Sequence, residues 1–265
     1  MKQALVMMDL SGLGRCALGV AISTLSAMGI QPVPLPTGAF STHTGGFGSV
    51  ARQDLTEFVQ SALAHYARLQ RQFAAVYAGY LLSDAQIELL AELLRAHPSA
   101  FRLVDPVMGD HGSFYGSIGP SRAEAYRQIL PLADLITPNH TEAHLLLDVK
   151  KPIPFQALLN GLLMRGANAA LIKGVPMSGG GFANVYQSQR GDPLVLPYVP
   201  APGAYPGTGD LFASVLLGCL LQDQPPQRAM KRAADFVGEA ILHTNALGTD
   251  PREGVAFEPI LGRLC

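Results

Sequence analysis

Short apolar segments with strand-like patterns alternate along this chain with segments of helical period. Strand patterns occur at residues 3–8, 74–79, 101–105, 133–137 and 169–173. Helical patterns occur around them, at 16–28, 54–72, 87–96, 121–130, 141–148, 155–165, 208–222 and 226–246. Such alternation favours a mostly parallel sheet with helices on both faces. We therefore predict an α/β fold, formed by residues 1–265 as a single domain.

Two further segments have distinct extended patterns. The prolines of QPVPLP, residues 31–36, favour an extended conformation. The segments ANVYQS and LVLPYV, near residues 183–199, predict an antiparallel pair. Between the last parallel strand and this pair, SGGGF at 178–182 is flexible enough for a lid or for a hairpin.

Composition excludes several classes of protein. With 48% hydrophobic and 15% charged residues the chain is too apolar to be disordered, and its net charge of −1 argues against a nucleic-acid surface. The apolar run from Leu211 to Leu221 is too short to span a bilayer, so no membrane partner is expected. Three scattered cysteines and the absence of a signal-peptide pattern favour a cytoplasmic location.

Four polar or glycine-rich stretches follow predicted strands. They are DLSGLGR at 9–15, GY at 79–80, DPVMGD at 105–110 and TPNHTE at 137–142. Sheets of this kind bind ligands at the carboxyl ends of their strands. No Walker-type phosphate loop is present, and Ala17 stands where a dinucleotide fingerprint needs its third glycine. A Rossmann dehydrogenase is therefore disfavoured.

The stretch PGTGD, residues 206–210, precedes a long apolar helix. Gly207, Thr208 and Gly209 can bring backbone N–H groups and a helix N-terminus to one anion. Asp210 beside them can accept a proton from an attacking hydroxyl, which suits phosphoryl transfer. An ordinary glycine turn with Asp210 capping the helix explains the same residues equally well.

Other polar residues have two readings each. Asn139 and Glu142 share a helix face and can hold hydrated Mg²⁺, although a helix N-terminus with a favourable acidic residue is the simpler explanation. Asp105 and Asp110 fit a metal–phosphate region or a turn. Lys173 can neutralise a nucleotide phosphate or be a solvated lysine at a strand end.

The amino-terminal half offers polar groups for a small ligand. Ser11 and the stretch STHTGGF at 41–47 carry hydroxyls, and His43 among them is more often a structural histidine. Cys16 follows Arg15 at a predicted helix start, which can activate a thiol, although a structural role is favoured.

Five motifs in one order resemble a known family. DLSGLGRC, STHTGGF, DPVMGD, the N-x-x-E of TPNHTE, and GTGD before an apolar helix are together similar to the vitamin B6 kinases of the ribokinase-like superfamily. The resemblance covers residues 4–260. It implies a three-layer α/β/α sandwich, often a homodimer. The implied reaction transfers the γ-phosphoryl of ATP to the 5′-hydroxymethyl group of pyridoxal, pyridoxine or pyridoxamine.

The resemblance also implies roles for individual residues. Asp210 matches the catalytic base, and Gly207, Thr208 and Gly209 match the anion hole. Substrate contacts are implied for Ser11, Thr44, Tyr80 and Asp210, with His43 beside them. The magnesium and phosphate region is matched by Asp105, Asn139 and Glu142, with Asp105 and Glu142 as the metal ligands, and nucleotide-side positions by Asp110, Tyr115, Thr137 and Lys173. The implied cofactors are ATP, Mg²⁺ and a monovalent cation such as K⁺.

Some features depart from the family pattern, and other functions remain open. Pro206 precedes GTGD where relatives often have His, and residues 175–182 give no clean match to a nucleotide loop. A hydroxymethylpyrimidine kinase shares the fold, but usually has Cys where this chain has Asp210. A sugar or nucleoside kinase is less compatible, since residues 9–50 leave little room for extra lid strands. A B6-binding protein without turnover is the alternative from a different class.

Overall fold

The alternation of strands and helices predicted from the sequence is present in the computed structural model, which describes residues 1–116 and 118–265. The strands in these residues are β1 Gln3–Leu13, β2 Gln31–Thr42, β3 Arg52–Asp54, β4 Ala75–Ala78, β5 Phe101–Val104, β6 Gly109–Asp110, β7 Ser113–Phe114, β8 Leu135–Ile136, β9 Ala169–Pro176, β10 Phe182–Ser188 and β11 Leu194–Tyr198. The helices are α1 Ala17–Ala27, α2 Thr56–Arg68, α3 Asp84–Ala96, α4 Pro120–Arg127, α5 His140–Leu147, α6 Phe155–Met164, α7 Thr208–Leu221 and α8 Pro226–Leu247.

The chain divides into two compact units. The first unit comprises Met1–Leu82 and Pro200–Cys265, and the second comprises Ser83–Val199. Each contains parallel strands and packed helices, as expected of an α/β protein. The single domain expected for residues 1–265 stays a prediction.

In the first unit β1 is the central strand. It pairs in parallel with β4 and with β2, and β3 is antiparallel to β2. The β1 residues Ala4 to Met8 are completely buried, which explains their uninterrupted apolar run. Helix α1 packs on β1 and on α7, and α7 packs on α8.

Strand β1 is longer than the apolar pattern predicts. The pattern ends at Met8, but pairing with β2 continues to Leu13 after a register shift between Met8 and Leu10. A shift of this kind re-aims the following side chains. The DLSG stretch therefore lies within the strand instead of in a loop after it, and Asp9 and Ser11 are buried.

Three prolines lie inside β2 without breaking its pairing. Pro32, Pro34 and Pro36 alternate along the strand, and the N–H of Gln31 points to β1. Because backbone direction alternates with a period of two, the three prolines face away from β1. On that side β3 pairs only with Gly38–Phe40, so the missing N–H groups cost no ladder bond.

In the second unit β5, β8 and β9 are parallel, and β10 and β11 extend the sheet antiparallel. The predicted antiparallel pair is thus confirmed. Gly180 and Gly181 have positive φ in the turn between β9 and β10, so SGGGF forms a hairpin turn. Ser83 caps α3 by accepting a hydrogen bond from the N–H of Gln86. In the part of the chain that the structure describes, no helix has the length and hydropathy needed to cross a membrane.

Candidate active site

The glycine-rich loop before α7 is held tightly against the start of α1. Gly207 has φ of +78°, and a Cβ added there would lie 1.9 Å from the carbonyl oxygen of Arg15. No residue with a side chain fits this position. Helix α7 begins directly after it at Thr208, so its first N–H groups and its positive dipole end face this loop. A helix start next to a tight glycine turn is a geometry that suits the binding of an anion.

Asp210 lies in the first turn of α7, partly exposed. Its Oδ2 accepts a hydrogen bond of 2.8 Å from the N–H of Ala17, the first residue of α1. Ala17 has φ of +46°, a left-handed conformation that is uncommon outside glycine and that concentrates at functional sites. The carboxylate is thus placed by the backbone of one helix start beside the start of another.

A second carboxylate, which sequence reasoning missed, lies in the same unit. Asp9 is 6% exposed and accepts a hydrogen bond of 2.9 Å from the Ser11 hydroxyl through its Oδ2. Burial raises the pKa of Asp9 to about 6, although the bond from Ser11 and the nearby His43 act in the opposite direction. The available signal was an acidic residue directly after the apolar run ALVMM.

The Cys16 thiol is close enough to both carboxylates for their charges to affect its pKa. Burial, then Asp210, then Asp9 raise the pKa of its thiol to about 12. The thiol therefore stays protonated near neutral pH, and the structural role favoured from the sequence agrees with this environment. We refer to Asp9, Ser11, Cys16, Ala17 and Asp210 as the carboxylate cluster.

His43 joins the STHTGGF loop to the carbonyl of Arg252 in the same unit. Its Nδ1 accepts from the N–H of Gly45, at 3.1 Å, so Nε2 carries the proton and donates to the carbonyl of Arg252, at 2.5 Å. Both ring nitrogens are thus used within the protein, which favours the structural reading of His43. Thr44 is exposed in this loop, and the carbonyl of Tyr80 accepts from the hydroxyl of Thr37.

In the second unit Asp105 and Lys173 form a buried ion pair. The Nζ of Lys173 lies 2.7 Å from Oδ2 of Asp105, and Asp105 is only 1% exposed. Burial raises the pKa of Asp105 in spite of the lysine. Oδ1 of Asp105 is buried and has no hydrogen-bond partner among the described residues. Thr137 is completely buried after β8.

Asn139 and Glu142 form a capping box at the start of α5. The side chain of Asn139 accepts from the N–H of Glu142, and Glu142 accepts from the N–H of Asn139, both at 2.8 Å. Glu142 also accepts from the N–H of Met108, at 3.1 Å, and Asn139 donates to the carbonyl of Gly109. The simpler of the two readings from the sequence, a helix N-terminus with an acidic residue in its first turn, is therefore confirmed.

Glu142 is nevertheless an unusual cap. Burial, and then the charge of Asp105, raise its pKa to about 8. No group of three or more His, Cys, Asp or Glu residues is arranged around a common metal position within residues 1–116 and 118–265. The unsatisfied Oδ1 of Asp105 and the repulsion between two buried carboxyls fit a hydrated Mg²⁺ that takes few protein ligands.

Asp110 and Tyr115 lie on or beside the β6–β7 hairpin. Oδ1 of Asp110 accepts from the N–H of His111, at 2.7 Å, and the N–H of Tyr115 donates to the carbonyl of Met108. Tyr115 is 44% exposed. The hairpin is attached to the Asn139–Glu142 cap through Met108 and Gly109. The second unit thus brings this cap together with three further predicted site residues, Asp105, Thr137 and Lys173.

Comparison with known proteins places this geometry in a family. The sequence matches the phosphomethylpyrimidine kinase family over residues 20–254. The chain belongs to the phosphomethylpyrimidine kinase family. A pyridoxine/pyridoxal/pyridoxamine kinase from Bordetella bronchiseptica is 30% identical over 247 residues, which cover 89% of this chain and 87% of the relative.

Solved structures from the family have the same fold. Pyridoxal kinase from Lactobacillus plantarum is 32% identical, with a TM-score of 0.94 over 100% of this chain and 96% of that one. A Bacteroides thetaiotaomicron protein, described as a phosphomethylpyrimidine kinase and solved with pyridoxal, is 34% identical, with a TM-score of 0.91 over 99% and 95%. The resemblance to B6 kinases and the ribokinase-like α/β fold predicted from the sequence are confirmed.

Proposed function

We propose that this chain is a kinase that transfers the γ-phosphoryl group of ATP to the 5′-hydroxymethyl group of a B6 vitamer. The observation that carries the proposal is the Asp210 carboxylate, held by the Ala17 N–H at the start of α7 beside the Gly207 turn. A base and an anion site adjoin there, as phosphoryl transfer to an alcohol requires. Relatives named as B6 kinases supply the substrate class.

In the proposed reaction these groups have the following roles. Asp210 accepts the proton of the substrate hydroxyl while its oxygen bonds to the γ-phosphorus and the bond from that phosphorus to the ADP oxygen breaks. The N–H groups of Thr208 and Gly209 stabilise the negative charge of the moving phosphoryl group. In the second unit Lys173 provides positive charge for the nucleotide phosphates, assisted by Tyr115 and Asp110 at the hairpin.

The second unit also has the groups for a cation. Asp105 and Glu142 would hold Mg²⁺, with Asn139 orienting Glu142, and the ion would neutralise charge on the phosphates. A requirement for K⁺, a homodimeric assembly and substrate contacts by Thr44 and Tyr80 stay predictions from the resemblance. A cytoplasmic location stays a prediction from the scattered cysteines and the amino-terminal sequence.

A coupled ATP-consumption assay tests the proposal. Pyridoxal, pyridoxine, pyridoxamine and hydroxymethylpyrimidine are offered separately with Mg²⁺ and K⁺, and the products are identified by mass. We expect turnover of B6 vitamers. Turnover of hydroxymethylpyrimidine alone would favour the thiamine-pathway alternative, which the family name also permits. Absence of turnover with every acceptor would contradict the proposal and favour a binding protein.

The role of Asp210 is tested by Asp210→Asn. We expect turnover to fall by about two to four orders of magnitude, because general-base catalysis contributes about that much. Binding of the vitamer, measured by calorimetry, should change by no more than a few-fold. Unchanged turnover would show that another group accepts the proton.

A further inference from the structure

The hydrogen bond between Ser11 and Asp9 has a defined direction. Ser11 has one O–H, and its oxygen lies 2.9 Å from Oδ2 of Asp9. An ionised carboxylate accepts hydrogen bonds and cannot donate them, so the Ser11 proton points to Asp9. The Ser11 oxygen then has only lone pairs to offer to any other group. A ligand atom that meets Ser11 must therefore be a donor.

The Ser11–Asp9 pair lies close to the proposed catalytic base. The charges of Asp9 and Asp210 both raise the pKa of the Cys16 thiol, so Cys16 is near both carboxylates. The next residue, Ala17, donates its N–H to Asp210. All these residues belong to the first unit. A ring whose hydroxymethyl group meets Asp210 is therefore in the neighbourhood of Ser11.

Among the described residues, 1–116 and 118–265, the carboxylate of Asp9 forms no ion pair. Both ring nitrogens of the nearby His43 are bonded to backbone groups instead of to Asp9. A buried charge is costly without a counterion. An asparagine at position 9 would also accept the Ser11 proton, so the hydrogen bond alone does not require a carboxylate. A cationic ligand would use the charge.

We propose that Asp9 is a positioning residue that keeps Ser11 as an acceptor and adds negative charge beside it, and that through this charge the pair selects substrates whose ring nitrogen carries a proton. This inference rests on the proposed function and explains which aromatic ring the substrate must have. In a 3-hydroxypyridine ring the acidic hydroxyl can pass its proton to the basic nitrogen, which gives an N–H donor with positive charge. A ring with a less basic nitrogen, or with C–H in its place, offers no such donor.

The test compares two acceptors in wild type and in Asp9→Asn. One acceptor is pyridoxine, and the other is its carbocyclic analogue, in which C–H replaces the ring nitrogen. A hydrogen bond to a charged group contributes enough for about a tenfold effect or more. We expect wild type to prefer pyridoxine at least about tenfold in kcat/KM, and Asp9→Asn to lose about tenfold of that preference through a higher KM for pyridoxine.

Other readouts separate this role from a structural one. In Asp9→Asn the kcat/KM for the analogue and the KM for ATP should stay within about twofold of wild type. Asp235→Asn is the matched control, since it removes an exposed carboxylate of α8 in the same unit and should change neither acceptor. Equal loss with both acceptors, or no loss with either, would overturn the proposal.

Two further measurements keep the inference testable. If Asp9→Asn does not fold, Ser11→Ala removes the acceptor and should reduce the same preference. If wild type turns over no acceptor, the proposed function fails, and calorimetry then decides about the ring. Tighter binding of pyridoxine than of its analogue would support the selection of a protonated nitrogen, and equal or absent binding would overturn it.

Discussion

Replacing Asp9 with Asn should stabilise the protein in a way that depends on pH. Burial raises the pKa of this carboxyl from 3.8 to about 6 on folding. Above pH 6 the carboxyl is ionised in both the folded and the unfolded state. Its ionisation then destabilises the folded state by the free energy that corresponds to a pKa difference of about two units. At about 1.36 kcal/mol for each unit, this amounts to about 3 kcal/mol. Near pH 3, about one unit below the unfolded value of 3.8, the group is protonated in both states and the cost vanishes.

Urea unfolding followed by circular dichroism measures this difference. We expect the variant to exceed wild type in free energy of unfolding by about 3 kcal/mol at about pH 7.5, by less at about pH 5, and by almost nothing at about pH 3. Asp235→Asn, at an exposed site, should differ from wild type by less than about 0.5 kcal/mol above pH 6. A variant that is less stable than wild type at pH 7.5, or a gain that is the same at every pH, would refute the reasoning.

Three further changes test other parts of the site. Gly207→Ala places a Cβ 1.9 Å from the Arg15 carbonyl at a φ of +78°, so we expect a loss of at least about 2 kcal/mol in denaturant unfolding, and an unchanged midpoint would contradict the close approach. Lys173→Met leaves Asp105 buried without its cation and should lower stability by about 3–5 kcal/mol at neutral pH in the same assay, whereas a loss below about 1 kcal/mol would mean that the pair is not buried in solution. Cys16 should resist iodoacetamide in the folded protein at about pH 8, because its thiol titrates at about 12; rapid labelling at this residue in peptide mass spectrometry would show that the thiol is ionised and accessible.

Local patterns were sufficient for the order of strands and helices but not for their ends. Apolar periodicity located β1, but the pattern stops at Met8 and the strand continues to Leu13. The continuation depends on the register with β2, which is a non-local property. The short strand β3 was missed for a related reason, since all three of its residues are exposed and polar.

Side-chain roles were predictable where the backbone requires a particular residue. The Gly207 turn is an example, because only glycine fits its conformation and its contact with Arg15. The burial of Asp9 was not predictable, since the sequence does not show which face of the strand a side chain takes after the register shift. The capping box of Asn139 and Glu142 was one of two readings from the sequence, and both of its hydrogen bonds are present.

The bond between Ala17 and Asp210 joins residues 193 positions apart in the chain. During synthesis the amino-terminal partner is made long before the GTGD turn leaves the ribosome. Contacts of such high sequence separation form late, because a large loop must close before they contribute. A nascent chain that stops short of α7 therefore lacks Asp210, the proposed catalytic base. The proposed phosphoryl transfer becomes available only after α7 has been made.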